Sequence, residues 1–204
     1  MKLVVISPEH DDRREIAVLG DLFAGGLERY HVRKPHASAT KLAAWLCAIP
    51  AEWRARIVLH QHHELVDQFG LGGRHWRDDA AAPPSPLRAG KVASRSCHDL
   101  PTLRAALGHY DSVFFGPAFP SVSKPGHRPR EGFSFDEIST LLASRSADER
   151  RTGVLALGGI TAKNAPRALA LGFDGVAVLG AIWQAADPRR AFAKLQDSLA
   201  RHAA

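Results

Sequence analysis

Two cysteines in 204 residues, Cys47 and Cys97, give no basis for a disulfide framework, and their separation is not metal-ligand spacing. A reducing compartment is expected, and redox chemistry is not indicated. No run of about 18 apolar residues occurs, so no membrane-spanning helix is expected. The stretch Met1 to Ser7 is too short for a signal peptide and lacks a processing site, so the expectation is a soluble, cytoplasmic protein with no membrane partner. Also missing are any run of five or more Lys or Arg and any aromatic-basic RNA-binding signature. The formal charge of +6, from 27 basic and 21 acidic residues, is spread along the chain. That distribution points to an anionic small substrate and away from nucleic acid.

What the chain does have is enough apolar material for one sizeable core, 45% by composition, in a length that suits a single domain over residues 1–204. Short apolar or β-branched runs recur at 3–7, 29–33, 57–61, 73–76, 92–97, 112–116, 154–157 and 175–179. Helical stretches are expected between them at 13–24, 39–48, 63–69, 99–107, 135–144, 165–171 and 188–202. Ser38 and Asp99 suit helix caps, and Gly70, Gly108 and Gly172 stand where helices should stop. Pro83, Pro84 and Pro86 forbid an ordinary helix in 80–90. A doubly wound sheet fits the alternation, but eight strands in this length fit a compact (β/α)8 barrel better.

In such a barrel the chemistry lies where strands end. The strand ends here offer His31 and Arg33, His60 and Gln61, His75, Ser96 and His98, and, after strand six, Ser121, Ser123 and Lys124. Gly158-Gly159 follows strand seven, and Gly180-Ala181 follows strand eight. Glycines there let backbone N–H groups approach a phosphate closely. Two hydroxyls and a lysine at 121–124 suit a second phosphate or a departing pyrophosphate, with the basic, proline-rich stretch 125–130 as a lid. The histidine count is high, eleven. His31, His60, His75 and His98 sit on neighbouring strands, where they can share a proton-transfer site or a softer metal such as zinc. The plainer reading makes His31 and His75 hydrogen-bonded core or rim residues, and His62 and His63 a solvated helix start.

SerCysHis at 96–98, GlyProAlaPheProSerValSerLys at 116–124, AlaLeuGlyGlyIle at 156–160 and GlyPheAspGlyValAlaVal with GlyAlaIle at 172–182 resemble the thiamine phosphate synthase and thiazole tautomerase superfamily, in order and spacing, from about Tyr30 to Ile182. The resemblance implies a (β/α)8 barrel and a transferase that couples hydroxymethylpyrimidine diphosphate to thiazole phosphate, releasing pyrophosphate with magnesium. It implies that Arg33, Ser121, Ser123 and Lys124 hold pyrophosphate, that Gly159 and Gly180 lie at the thiazole phosphate, and that Ser96 lies near the pyrimidine. His31, His60 and Gln61 become further substrate contacts, and His98 joins the catalytic group. The pattern is not complete. Pro35 replaces a lysine of the synthase pattern, and His60-Gln61 replaces an Asn-Asp whose carboxylate binds magnesium; Asp78 and Asp79 stand near the position of the second acidic ligand, with Asp79 the candidate metal ligand. Pro117 stands where tautomerases place a proton-transferring histidine. A tautomerase and a non-catalytic thiazole or thiamine phosphate-binding protein remain open beside the synthase, as do monomer and homodimer.

Overall fold

The computed structural model describes residues 2–79, 90–120 and 134–203. Eight parallel strands pair in chain order, and the last closes on the first. They are β1 (Lys2–Ile6), β2 (Arg29–Val32), β3 (Ile57–Leu59), β4 (Gly73–Trp76), β5 (Val92–Cys97), β6 (Ser112–Phe115), β7 (Gly153–Leu157) and β8 (Gly175–Val178). Around them run α1 (Glu15–Ala24), α2 (Ala39–Cys47), α3 (Ala51–Arg54), α4 (Glu64–Gln68), α5 (Leu100–Ala106), α6 (Phe135–Ala143), α7 (Ala165–Ala170), α8 (Gly180–Trp183) and α9 (Pro188–Ala203). The expected barrel is therefore the observed one.

The helix signals in the sequence are physical ones. Ser38 accepts from the Lys41 N–H at 3.2 Å and Asp99 from the Thr102 N–H at 2.8 Å, each satisfying a donor that the helix itself leaves unpaired. Gly70, Gly108 and Gly172 take φ values of +67°, +80° and +93°, the left-handed turn that stops a helix. Two short helices, α3 and α8, were not expected, because one turn is too short to show a period. Strands two and three end at Val32 and Leu59, so Arg33, His60 and Gln61 stand just past them, in loops. The proline-bearing stretch 80–89 lies outside the described residues.

Successive strand residues face opposite sides, and the two sides differ. Outward residues such as Val5, Val32, Leu59, Val113 and Val176 pack under the helices. Inside the barrel a smaller apolar cluster comprises Val4, Ile6, Phe114, Leu155 and Ala177, from β1, β6, β7 and β8. The opposite half of the lumen buries His31, His75 and Ser94, from β2, β4 and β5. One half of the barrel interior is hydrocarbon and the other is imidazole and hydroxyl.

Among the described residues, no helix is long and apolar enough to cross a membrane.

Candidate active site

The polar half of the lumen is organised by β-register. Val58 pairs with Gly73 and Leu59 with Arg74, so His60 continues the ladder beside His75. On the other side His75 pairs with Ser94. The His60 and His75 rings stack, with centroids 3.9 Å apart and planes 19° from parallel. His31 stands edge-on to both, at 84° and 80°. Phe114 closes the base of the group, 4.7 Å from both the His31 and His75 rings.

The hydrogen bonds fix how these rings present their nitrogens. His31 Nδ1 lies 3.2 Å from His60 Nε2. His75 is held on both sides, Nδ1 at 2.8 Å from Ser94 Oγ and Nε2 at 2.8 Å from Ser96 Oγ. The Ser94 oxygen lies 3.5 Å from the Arg74 carbonyl; in the tautomer with His75 Nδ1 protonated, the Ser94 hydroxyl turns toward that carbonyl and its oxygen accepts from Nδ1–H. That leaves the Nε2 lone pair facing Ser96. Burial pushes His31 down to about 3 and holds His60 and His75 well below the ordinary histidine range. A charge on any of the three is also disfavoured by its neighbours, Arg29 for His31, and for His60 and His75 the adjacent histidines ahead of Arg33. All three are neutral imidazoles at physiological pH.

The other expected site residues distribute around this group. Arg33 is fixed through its backbone, donating its N–H to Ser7 Oγ at 2.8 Å while the Ser7 hydroxyl donates to its carbonyl at 3.1 Å. Its guanidinium meets Glu9 at 2.5 Å, with 42% of the side chain exposed. Gln61 turns away from the lumen and donates Nε2–H to the Lys34 carbonyl. His98 does not join the other histidines; its Nδ1 meets the Gly116 carbonyl. His62 and His63 are not a solvated helix start. Both are half-buried, His62 on the Ala37 carbonyl at 2.9 Å and His63 on the His75 carbonyl at 3.1 Å, because their rings seal loops beside the strand ends.

Gly158 and Gly159 take φ of +92° and +63°. A Cβ at Gly159 would stand 2.3 Å from the Pro120 carbonyl oxygen, and one at Gly158 would stand 2.8 Å from Pro117 Cα. The pair therefore lets the β7 loop lie directly against residues 117–120. Gly180 and Ala181 open α8, where the first N–H groups have no acceptor within the helix. Ser121, Ser123, Lys124 and the expected lid at 125–130 lie outside the described residues. The sequence reading missed Ser7, Glu9 and Ser94. Ser94 was accessible to it, since it stands two residues before Ser96 and so faces the same side of β5. A separate cleft of about 360 Å3, lined by Leu3, Leu27, Glu28, Phe192 and Gln196 among others, opens near the starts of β1 and β2, away from this chemistry.

A family profile described as thiamine monophosphate synthase matches residues 3–182. The chain belongs to that family. Thiamine-phosphate synthases of Bordetella avium and Thiobacillus denitrificans are each 32% identical to it over 91% of this chain, covering 89% and 88% of their own lengths. The crystal structure of thiamine phosphate pyrophosphorylase from Bacteroides thetaiotaomicron superposes with a TM-score of 0.77 at 28% identity, covering 97% of both chains.

Within the thiamine monophosphate synthase family, the position of Pro117 matters because a proline side chain has no proton to transfer, so it cannot serve the acid-base step of a tautomerase. Among the described residues, the magnesium implied by the family finds fewer carboxylates than the synthase pattern provides. Gln61 offers no carboxylate and its amide is engaged. Asp79, expected as a metal ligand, is 72% exposed and faces Arg77 at 3.4 Å. Asp78, one residue earlier, keeps its Oδ1 buried without a hydrogen-bond partner, so this donor set holds one carboxylate oxygen for a hard cation where the family pattern implies two.

Proposed function

We propose that the protein is a thiamine phosphate synthase, joining hydroxymethylpyrimidine diphosphate to thiazole phosphate. The observation that carries this reading is the family match over residues 3–182, with the strand-end motifs at 96–98, 116–124 and 156–160 in family order. In the reaction the bond from the pyrimidine methylene carbon to the diphosphate oxygen breaks, its electron pair leaving on pyrophosphate. The thiazole nitrogen forms the new carbon–nitrogen bond.

The protein's task in such a reaction is to position two anions, neutralise the leaving group and exclude water. Arg33 suits the leaving group: Ser7 fixes its backbone, and its guanidinium stays at the rim beside Glu9. Ser121, Ser123 and Lys124 complete the pyrophosphate clamp in this reading. The backbone at Gly158, Gly159, Gly180 and Ala181 receives the thiazole phosphate at the ends of the last two strands, where barrels of this kind commonly bind phosphate. Ser96 and His98 flank the pyrimidine, and His31, His60 and Gln61 border it.

The purified protein incubated with both substrates, across magnesium, manganese, cobalt and zinc, should yield thiamine phosphate and equimolar pyrophosphate. Absence of product under every metal condition overturns the assignment.

A further inference from the structure

We propose that His31, His60 and His75 form a binding site for a divalent d-block cation, with zinc as the reference ion. One ring nitrogen from each histidine can be chosen so that all three lie within 4.8 Å of one another. They come from the ends of three consecutive strands, so the barrel itself sets their spacing.

The spacing of the nitrogens suits such an ion. Two imidazole nitrogens bound to one tetrahedral zinc at about 2.0–2.1 Å each stand roughly 3.4 Å apart. His31 Nδ1 and His60 Nε2 already stand 3.2 Å apart. The third ligand is His75 Nε2, whose lone pair faces Ser96 Oγ. Binding exchanges that hydroxyl for the metal and turns His60 out of its stack on His75, since the in-plane lone pairs of two parallel rings do not converge on one ion. The proton shared between His31 Nδ1 and His60 Nε2 moves to the other nitrogen of the ring that carries it, so each imidazole stays neutral. Three protein ligands leave a further position open for water or an oxyanion.

The surroundings match what a metal histidine requires. A ligating histidine normally donates its other N–H to a fixed acceptor, which sets tautomer and ring orientation. Ser94 supplies this to His75 Nδ1, and Ser94 is itself held by the Arg74 carbonyl. The Phe114 ring, 4.7 Å from the His31 and His75 rings, gives the group one apolar wall. Imidazole is a borderline donor that suits zinc, cobalt or nickel and not magnesium. In the His60-Gln61 pair that departs from the synthase pattern, the carboxylate is lost at Gln61 and an imidazole is gained next to it at His60.

The experiment is a titration of the chelator-treated protein with Co2+, followed by visible d–d absorption, and then displacement by Zn2+. One equivalent of bound Co2+ is expected, with the bands abolished by one equivalent of Zn2+. His60→Ala, at the half-buried rim of the group, should weaken binding by more than the roughly 10- to 100-fold typical of second-shell changes, and Ser94→Ala should fall within that range. His109→Ala, on the exposed surface, should leave the titration unchanged. X-ray absorption at the zinc edge of the wild-type protein, which needs no variant, should count three imidazole nitrogens at about 2.0–2.1 Å. No saturable band, a band retained in His60→Ala, or fewer than three imidazoles in the zinc spectrum overturns the site. None of these readouts depends on turnover, so the metal site and the synthase reading fail separately.

Discussion

Lys34 follows Arg33 by one position, in the loop after β2, and its side chain is committed to Glu15 of α1, which is why it cannot replace the lysine missing at Pro35. Its ammonium is buried against Glu15 at 2.7 Å, and the Tyr30 hydroxyl donates to the same carboxylate at 2.8 Å. Burial raises the Glu15 pKa above its usual 4.5, while Lys34 and Tyr30 pull it back down. In Lys34→Ala the counter-ion is gone, so the folded-state pKa of Glu15 rises further. A carboxyl whose pKa is raised on folding favours the folded state while protonated and loses that contribution as pH rises through its folded value. The variant should therefore be destabilised by about 3–5 kcal/mol near pH 7, the cost of an uncompensated buried charge, and by distinctly less near pH 5. Urea denaturation at the two pH values measures this; a gap that does not narrow with acid contradicts it. The role of Lys34 was hidden in the sequence because residues in a strand loop have no fixed parity, whereas the alternation within β5 already placed Ser94 beside Ser96.

At the scale of elements, the readable features were those with a local cause. Caps at Ser38 and Asp99 and stops at Gly70, Gly108 and Gly172 follow from hydrogen-bond donors and positive φ, which a single residue announces. The one-turn helices α3 and α8 carry no such period, and the convergence of His31, His60 and His75 depends on barrel register, which no single segment contains. The β7 loop shows the same dependence. Gly159 looked like a phosphate cradle, and the structure adds a second demand on it, since a side chain there would meet the Pro120 carbonyl at 2.3 Å. Gly159→Ala should lose roughly 1–2 kcal/mol from its φ of +63° alone, with more from the displaced loop. The same displacement shifts the chain entering Ser121, assigned to the pyrophosphate clamp, so the KM for hydroxymethylpyrimidine diphosphate should rise with it. Thermal denaturation together with steady-state kinetics checks both; a variant with unchanged stability and unchanged KM contradicts the packing argument.

Across the whole molecule, the two halves of the lumen divide the work. The hydrocarbon half, Val4, Ile6, Phe114, Leu155 and Ala177, holds the closed barrel together, and the Trp183 indole adds a bond across the closure to the Ile6 carbonyl at 2.7 Å. The polar half is free to change its chemistry without changing the fold, which is the general relation between a barrel and its strand-end residues. The pair His60-Gln61 is the place to test that freedom. Both are half-buried at the rim, and neither belongs to the apolar clusters. Replacing them together, His60→Asn with Gln61→Asp, restores the carboxylate of the synthase pattern and removes one imidazole. Magnesium commonly needs only one or two carboxylates when substrate phosphates supply further oxygens. The double variant should therefore become magnesium-stimulated in synthase turnover and lose the cobalt absorption, while its denaturation midpoint stays close to that of the parent. Parallel titrations of both proteins with Mg2+ and Co2+ measure the exchange. If the variant keeps the cobalt bands, or if the parent protein is already stimulated by magnesium to the same extent, then the metal preference is set elsewhere than in these strand-end residues.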